Sequence, residues 1–389
     1  MSAHPFSKKE LERYSRHLII PEFNIKGQTA LKKAKVLVVG TGGLGAPLLQ
    51  YLTAAGVGTI GILDFDVVED HNLQRQVLFS TDDIGKPKVQ AAKERLEKLN
   101  PYIDFKVHNT YLNSENALDI IQEYDIVADG TDNFPTRYLI NDACVLLDKI
   151  NVYASIYRFD GQVTVFNYQN EDGTRGPNYR DLFPTPPPPG LVPSCSEGGV
   201  FGVLPGILGS LQANEVIKVA SGLGEPLSGR MLLMDASGME VQFINLLKRK
   251  DNPLSGENPT QTELIDYEQF CGIPAIKKEG ASKGVKEIDV ATLYQWQTEG
   301  RPFQLIDVRE PYEWSISDLE GEKIIKGQHL ERMEAVRKDV PVVVHCRSGK
   351  RSADVIRDWE LEGSFDNLYN LKGGILAWAK EIDTSLASY

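Results

Sequence analysis

The stretch from Val36 to Arg75 carries side chains and gaps spaced for phosphate chemistry. Val36-Leu-Val-Val-Gly-Thr-Gly-Gly-Leu-Gly45 is an apolar strand running into a glycine-rich turn. Gly40, Gly42, Gly43 and Gly45 remove the side chains that would hold a nucleotide away from the backbone N–H groups. A second strand ends in Leu63-Asp-Phe-Asp66 and places the Asp64 carboxylate where a ribose hydroxyl would be held. His71-Asn-Leu-Gln-Arg75 then brings Asn72 and an arginine towards the phosphates. The pyrophosphate of a dinucleotide rests on a helix dipole alone, whereas a triphosphate needs its charge neutralised while one phosphoryl group reacts. Lys88, on the following helix, adds a second cation. Asp132, in Gly130-Thr-Asp-Asn133, closes a strand at its carboxyl end, where open parallel sheets place ligands. A carboxylate beside a triphosphate serves best as a magnesium ligand, so ATP and Mg²⁺ are the expected pair.

Two cysteines stand in settings that suit sulfur or acyl chemistry. Val342-Val-Val-His345 is a strand, and Cys346-Arg-Ser-Gly-Lys-Arg351 is a loop leading into a helix. Such a loop aims backbone N–H groups at the thiol, and the helix start adds positive potential, which together favour the thiolate. A phosphatase loop would need an arginine six positions after the cysteine, and Ser352 stands there. Cys195, in Val192-Pro-Ser-Cys-Ser-Glu-Gly-Gly199, follows a proline-rich run and could capture an acyl group or a sulfur atom. Cys144 sits on an apolar helix and reads as core. Asp66 reads as a turn or capping residue and Arg13 as a helix-surface charge.

The elements that must position these groups alternate. A helical region spans about residues 10–33, with Leu11, Tyr14, Leu18 and Ile19 on one face. Strand Val36–Val39, helix Ala46–Ala55 stopped by Gly56, and strand Thr59–Asp64 form a βαβ unit, and helix Lys86–Leu99 follows. Another βα pair comes from Asp125–Asp129 and the helix after Phe134. This pattern predicts a doubly wound, Rossmann-like α/β nucleotide-binding domain over residues 1–250. Asn178 to Gly190 holds Pro184 and Pro186 to Pro189 and reads as a long surface crossover, before helix Ile207–Ala220. A break from Lys248 to Lys283, rich in Pro, Gly, Asn and charge, reads as a linker over 251–283. Helix Val290–Thr298, strands Phe303–Ile306 and Val342–His345 and helix Ser352–Glu362 then predict a small α/β domain over 284–389.

A chain of 389 residues with 41% hydrophobic residues can bury two ordinary cores. The net charge of −12 argues against nucleic-acid or anionic-membrane partners, which need a basic face. No apolar run approaches the ~20 residues of a bilayer span, and Met1 to Glu10 lacks a signal peptide's apolar core. The scattered cysteines at 144, 195, 271 and 346 suit a cytoplasmic protein with free thiols.

These residues resemble the MoeB/ThiF family of ubiquitin-activating-type adenylyltransferases from about Tyr14 to Phe243. The resemblance rests on Arg13-Tyr-Ser-Arg16, Gly40-Thr-Gly-Gly-Leu-Gly45, Leu63-Asp-Phe-Asp66, Asn72-Leu-Gln-Arg-Gln76, Lys86-Pro-Lys88 and Thr131-Asp-Asn133. It implies that Gly43 and Asp64 hold the nucleoside and that Asn72, Arg75 and Lys88 hold the phosphates. It also implies that Asp132 binds magnesium with Asn133 beside it, and that Arg16 reaches into the partner's site of a homodimer. The implied reaction is attack by a C-terminal glycine carboxylate on the α-phosphorus of ATP, giving an acyl-adenylate and pyrophosphate. Positioning and charge neutralisation carry such a step, with Arg75 and Asp132 the chief groups. Many family members hold a structural zinc on two C-x-x-C pairs. The matching positions here are Asn178, Asp181, Glu268 and Cys271, a poor tetrahedral set, so no zinc is expected.

From about Lys286 to Lys380 the chain resembles the rhodaneses, through the Cys346 loop, Leu305-Ile-Asp-Val-Arg-Glu310 with Tyr312, and Leu371-Lys-Gly-Gly-Ile-Leu-Ala-Trp378. The resemblance implies a persulfide on Cys346, anion-stabilising roles for Arg347, Lys350 and Arg351, and structural roles for Asp307 and Arg309. Together the two resemblances imply an adenylyltransferase and sulfurtransferase acting on a ubiquitin-like sulfur carrier of the MoaD/ThiS type, with a separate sulfur donor. The molybdopterin-synthase carrier is the first expectation, with thiamine or tRNA thiolation as alternatives. A nicotinamide oxidoreductase or an inactive carrier-binding scaffold would fit the glycine turn but not Arg75, Lys88, Asp132 and Cys346 together.

Overall fold

The computed structural model describes residues 5–187, 198–271 and 285–389. The chain divides into two compact units, Met1–Ile276 and Lys277–Tyr389. Eight strands of the first unit share one sheet: β1 (Lys35–Val39), β2 (Thr59–Leu63), β3 (Asp104–His108), β4 (Ile126–Asp129), β5 (Ile150–Tyr157), β6 (Asp160–Phe166), β7 (Arg230–Asp235) and β8 (Glu240–Asn245). Their order is β3-β2-β1-β4-β5-β6-β7-β8. The pairs from β3 to β5 are parallel and those from β5 to β8 antiparallel. Strands β1 and β4 are apolar runs, with Val36–Val39 and all of β4 buried, as strands covered on both faces must be.

The winding reverses between β1 and β4, so the crevice for a ligand opens at the carboxyl ends of these strands. Register brings those ends level: Val39 lies opposite Leu63 on one side and Asp129 on the other. The loops carrying the glycine turn, Asp64 and Asp132 therefore meet. The helix after β1 runs Gly45–Ala55 and stops at Gly56. A Cβ at Gly45 would fall 2.0 Å from the Gly40 carbonyl oxygen, so the turn can only close on glycine. Helices Lys88–Leu99, Phe134–Leu146 and Leu204–Ser221 complete the layers.

The helix expected over residues 10–33 is instead three pieces, Lys8–Arg13, Ser15–Leu18 and Asn24–Lys33. Pro21 lies in the break, where its missing N–H and its ring end a helix. Tyr14 is buried, but Ile19, placed on the same expected face, is 68% exposed.

In the second unit β9 (Glu287–Ile288), β10 (Gln304–Asp307), β11 (Glu322–Lys323), β12 (Val342–His345) and β13 (Leu368–Leu371) form a parallel sheet in the order β11-β10-β12-β13-β9. Helix Lys350–Gly363 starts just past β12, and helix Gly374–Glu381 just past β13.

The linker expected over 251–283 needs correction along residues 251–271, which belong to the first unit. Asn252, Leu254, Tyr267 and Cys271 are buried there. The turn of helix Tyr267–Phe270 packs on helix Phe134–Leu146. Residues 272–284 lie outside the described residues, as do 188–197, which include Cys195. The start of the expected surface crossover also turns inward: Tyr179–Leu182 is helical, with Tyr179, Arg180 and Asp181 buried.

One carboxylate gathers this region. Asp142 accepts from Arg180 Nε at 2.8 Å and Nη2 at 2.6 Å, and from Tyr267 Oη and Gln261 Nε2 at 2.8 Å each. The Asp142 and Arg180 side chains are 0% and 2% exposed. Polar composition misleads here because the polar groups pair with one another inside rather than with water. Asp142→Ala should leave the Arg180 charge buried without its partner, costing about 3–5 kcal/mol. Thermal unfolding of the full-length variant checks this, and an unchanged melting curve would refute the role given to Asp142.

Candidate functional site

The cavity at the strand ends is lined by Gly40, Gly42, Gly43, Asp64, Phe65, Asp66, Arg75, Lys88, Tyr111, Leu112, Gly130, Asp132, Asn133 and Arg137, among others. Thr41 donates its N–H and its hydroxyl to Asp64 Oδ2 at 2.8 and 2.7 Å. Asp66 N–H donates to Asp64 Oδ1 at 3.0 Å. One carboxylate thus ties the glycine turn to the end of β2. Gly43 sits against Pro205 so closely that a Cβ would lie 2.9 Å from it.

Lys88, 5% exposed, holds Asp66 Oδ2 at 2.8 Å. Asp66 was expected only to shape a turn, but it lines the cavity as the internal counter-ion of Lys88. A lysine this buried needs a partner before an anion arrives, and the fold supplies it from 22 positions away in the chain. Arg75 lines the cavity, with Nη1 donating to the His71 carbonyl at 3.3 Å. Asn72, expected at the phosphates, is not among the lining residues. Its Oδ1 accepts from Glu69 N–H and its carbonyl from the N–H of Arg75 and of Gln76, so it shapes the turn that carries Arg75. Arg16 is exposed and outside this chain's cavity.

At the end of β4 the buried Asp129 accepts from the N–H and hydroxyl of Thr131 at 2.9 and 2.6 Å. Burial pushes the Asp129 carboxyl above its usual range, against the pull of Arg137 and Thr131. Arg137 Nη2 donates to the Thr131 carbonyl at 3.1 Å. These bonds hold the loop that presents Asp132, which is exposed and makes no hydrogen bond or ion pair among the described residues. Asn133 caps the next helix by accepting from Thr136 N–H at 3.0 Å. Sequence reasoning passed over Arg137, because an arginine within an apolar helix reads as a surface charge until the fold turns it inward.

In the second unit Cys346 is fully buried at the end of β12. Its Sγ accepts from Gly349 N–H at 3.2 Å, and Ser352 Oγ lies 3.4 Å away. Ser352 has one proton, and Asn370 Oδ1, at 2.7 Å, is its closer acceptor. Gly374 lets the next helix start against the loop: a Cβ there would lie 2.4 Å from the Cys346 carbonyl oxygen. Asp307 and Arg309 form a fully buried pair at 2.7 Å, as their expected structural role requires.

Arg351, expected to stabilise an anionic sulfur donor, carries an internal carboxylate partner. Both of its Nη groups donate to Glu313 at 2.6 Å. Burial opposes the Glu313 carboxylate, but the Arg351 bonds outweigh it and hold the group below the usual carboxylate range. Cys144 is core as expected, and burial pushes its thiol up.

Of the four positions matching the family's zinc pairs, Asn178 and Asp181 are engaged in hydrogen bonds within the fold. Asn178 Oδ1 accepts from Arg180 N–H at 3.0 Å and Asn252 Nδ2 at 3.2 Å. Asp181 accepts from the N–H of Asn178 and of Arg249 and from Asn252 Nδ2, each at 2.8 Å. Burial pushes the Cys271 thiol up to about 11, away from the thiolate that zinc needs. Among the described residues no group of three or more His, Cys, Asp or Glu is placed to hold a metal ion. No helix among them is long and apolar enough to cross a membrane.

A glycine-turn nucleotide cavity in one unit and a loop-held thiol in the other define a two-unit transferase of the adenylate-and-sulfur class. The ThiF family profile matches residues 14–255 and the rhodanese-like domain profile residues 289–381, and the chain belongs to the ThiF family with a rhodanese-like domain appended. It is 47% identical to the probable adenylyltransferase/sulfurtransferase MoeZ of Mycobacterium tuberculosis, over 100% of this chain and 97% of that one. The sulfur carrier protein adenylyltransferase of Thermus thermophilus is 54% identical over 69% of this chain and 99% of its own length. The adenylyltransferase and sulfurtransferase MOCS3 of Anopheles gambiae is 42% identical over 98% of this chain and 89% of its own. Among solved structures, E. coli MccB with ATP superposes with a TM-score of 0.55 at 25% identity, covering 63% of this chain and 74% of that one. The chain is therefore an ATP-using adenylyltransferase that carries a sulfurtransferase unit.

Proposed function

We propose that the first unit activates the C-terminal glycine of a ubiquitin-like sulfur carrier with ATP, and that the second supplies sulfur through a persulfide on Cys346. The observation that carries this reading is the convergence of Arg75, Lys88 and Asp132 on a glycine turn, in a chain that also holds a loop-bound thiol. The carrier is assigned to the MoaD/ThiS type, and within it to molybdopterin synthase before thiamine or tRNA thiolation.

The triphosphate enters against the N–H groups of the glycine turn, and Asp64 meets the ribose. Lys88 exchanges Asp66 for phosphate oxygens, and Arg75 neutralises the charge that grows as pyrophosphate leaves. Magnesium suits the exposed Asp132 carboxylate and would add charge neutralisation at the leaving phosphates. The carrier's carboxylate attacks the α-phosphorus and becomes an acyl-adenylate. Cys346 takes sulfane sulfur from a donor, with sulfite leaving when the donor is thiosulfate. The persulfide then attacks the acyl carbon and AMP leaves. A second thiol cleaves the resulting acyl disulfide, giving the thiocarboxylate and a disulfide; Cys195 is the chain's own candidate for that thiol. A covalent tether keeps the persulfide at high local concentration. The protein works as a cytoplasmic homodimer, in which Arg16 completes the partner's site, and it holds no zinc. Elemental analysis after dialysis should accordingly find no stoichiometric zinc.

ATP–pyrophosphate exchange should require magnesium and a carrier ending in glycine. Asp132→Asn should lose that exchange by about 100-fold, the scale for removing one group that acts on transition-state charge, while melting like the parent. Exchange at the parent rate would remove Asp132 from the mechanism.

Mixing Arg16→Ala with Asp132→Ala subunits should restore about one working site per mixed dimer. Verified subunit exchange without recovered activity counts against a shared site.

Cys346→Ala should abolish sulfur transfer from thiosulfate to cyanide and stop thiocarboxylate formation, yet leave adenylation within about two-fold, because the two sites lie in separate units. Cys195→Ala should lower thiocarboxylate formation by less. The opposite ranking would show that the sulfur-carrying thiol is Cys195.

A further inference from the structure

The segment beyond helix Gly374–Glu381 returns to the thiol loop and ends in Tyr389 among four charged side chains. The Tyr389 main-chain oxygen accepts from Arg347 Nε, and Arg347 lies over the Tyr389 ring at 5.5 Å. Arg309 Nη1 donates to Tyr389 Oη at 2.5 Å, and Tyr389 Oη donates to Glu313 Oε1 at 3.1 Å. Glu313 is the carboxylate that binds Arg351 through both oxygens. Arg347 follows Cys346 directly, and Arg351 is the last residue of the six-residue loop. One tyrosine thus touches the cation at the start of the loop and the counter-ion of the cation at its end.

The start of helix Gly374–Glu381 also grips the loop backbone. Ile375 N–H donates to the Cys346 carbonyl at 3.0 Å and Leu376 N–H to the Arg347 carbonyl at 3.1 Å. The thiol loop therefore lies between the start of one helix and the residue in which the chain past that helix arrives.

We propose that Tyr389 is a positioning residue of the sulfurtransferase site, holding the Arg347 guanidinium in place for the anionic sulfur donor. The proposal rests on the assignment of sulfur transfer to Cys346. An arginine side chain gives up rotamer freedom when it binds an anion, and that ordering cost weakens binding. Tyr389 meets that cost before the donor arrives, through a hydrogen bond that fixes the guanidinium plane and a ring that covers its face. Thiosulfate, a compact dianion, is the donor class that gains most from a fixed guanidinium.

The test uses the full-length protein with thiosulfate and cyanide, in five variants: Tyr389→Leu, Tyr389→Phe, Arg347→Gln, the Tyr389→Leu/Arg347→Gln double variant and Cys346→Ala. Tyr389→Leu loses the ring and hydroxyl and should raise KM for thiosulfate by about three- to ten-fold, the ordering cost expressed as affinity. Its kcat should stay within about two-fold, because the thiol and its own hydrogen bonds are untouched. Tyr389→Phe keeps the ring, both variants keep the main-chain contact, and the Phe variant should bind thiosulfate nearly as the parent does. The double variant should be no worse than Arg347→Gln alone, since both changes remove one interaction.

Three results would overturn the proposal: an unchanged KM in a folded Tyr389→Leu protein, a Phe variant as impaired as Leu, or losses that multiply in the double variant. Should Tyr389→Leu fail to fold, Tyr389→Met takes its place in the same KM measurement: a raised KM supports the ring contact, and a parental one overturns it. Cys346→Ala separates the two assignments, because thiosulfate activity surviving in that variant refutes the thiol assignment whatever Tyr389 does.

Discussion

The bond from Thr41 to Asp64 is the constraint on which the nucleotide cavity depends. A glycine turn has no side chains of its own to hold its shape, and its N–H groups must face an anion that is absent before binding. Asp64 resolves this by accepting from both the N–H and the hydroxyl of Thr41. The turn is thereby fixed to the end of β2 before any ligand arrives. The Asp129–Thr131 pair repeats the device at the end of β4. In each case a strand-end carboxylate spends itself on a neighbouring threonine and so places the residues beyond. Preorganisation of this kind lets a site act on developing charge without rearranging as it forms.

The cations show the same economy. Lys88 is held by Asp66, Arg351 by Glu313 and Arg309 by Asp307. An unpartnered buried cation is costly, so each carries an internal carboxylate. What separates a functional cation from a structural one is whether the partner can be exchanged. Asp66 is half exposed and lines the cavity, so it is open to exchange for another anion in the proposed reaction. Asp307 is 0% exposed and Arg309 is ringed by the Glu313 and Ser317 carbonyls, so that pair is fixed.

A second network is built around the buried Asp142 carboxylate. Asn178, Asp181, Asn252, Arg180 and Tyr267 join the helix that follows β4 to the chain beyond β8 with hydrogen bonds and one ion pair. Such a join depends on many directional contacts and on full burial of a charge pair, so losing a single member is expensive.

Much of this was legible in the sequence, because it rested on local chemistry. The apolar runs of β1, β4 and β12, the glycines and the βα alternation follow from short-range sterics and hydrophobic periodicity. Lys88, Asp132 and Cys346 could be singled out because each sits just past a strand end or at a helix start, where topology alone suggests a site, and Arg75 because its turn follows the glycine-rich strand and lines the same cavity. Arg137, Asp66 as partner of Lys88, the inward packing of residues 251–271 and the placement of Tyr389 were decided only by tertiary structure. Arg180 and Asp142 are 38 positions apart and Arg309 and Tyr389 are 80 apart. A polar side chain has no periodic signature that says whether it faces water or a partner far along the chain. Its sequence neighbours set its backbone, and the partner that makes its burial affordable appears only when the fold brings the two together.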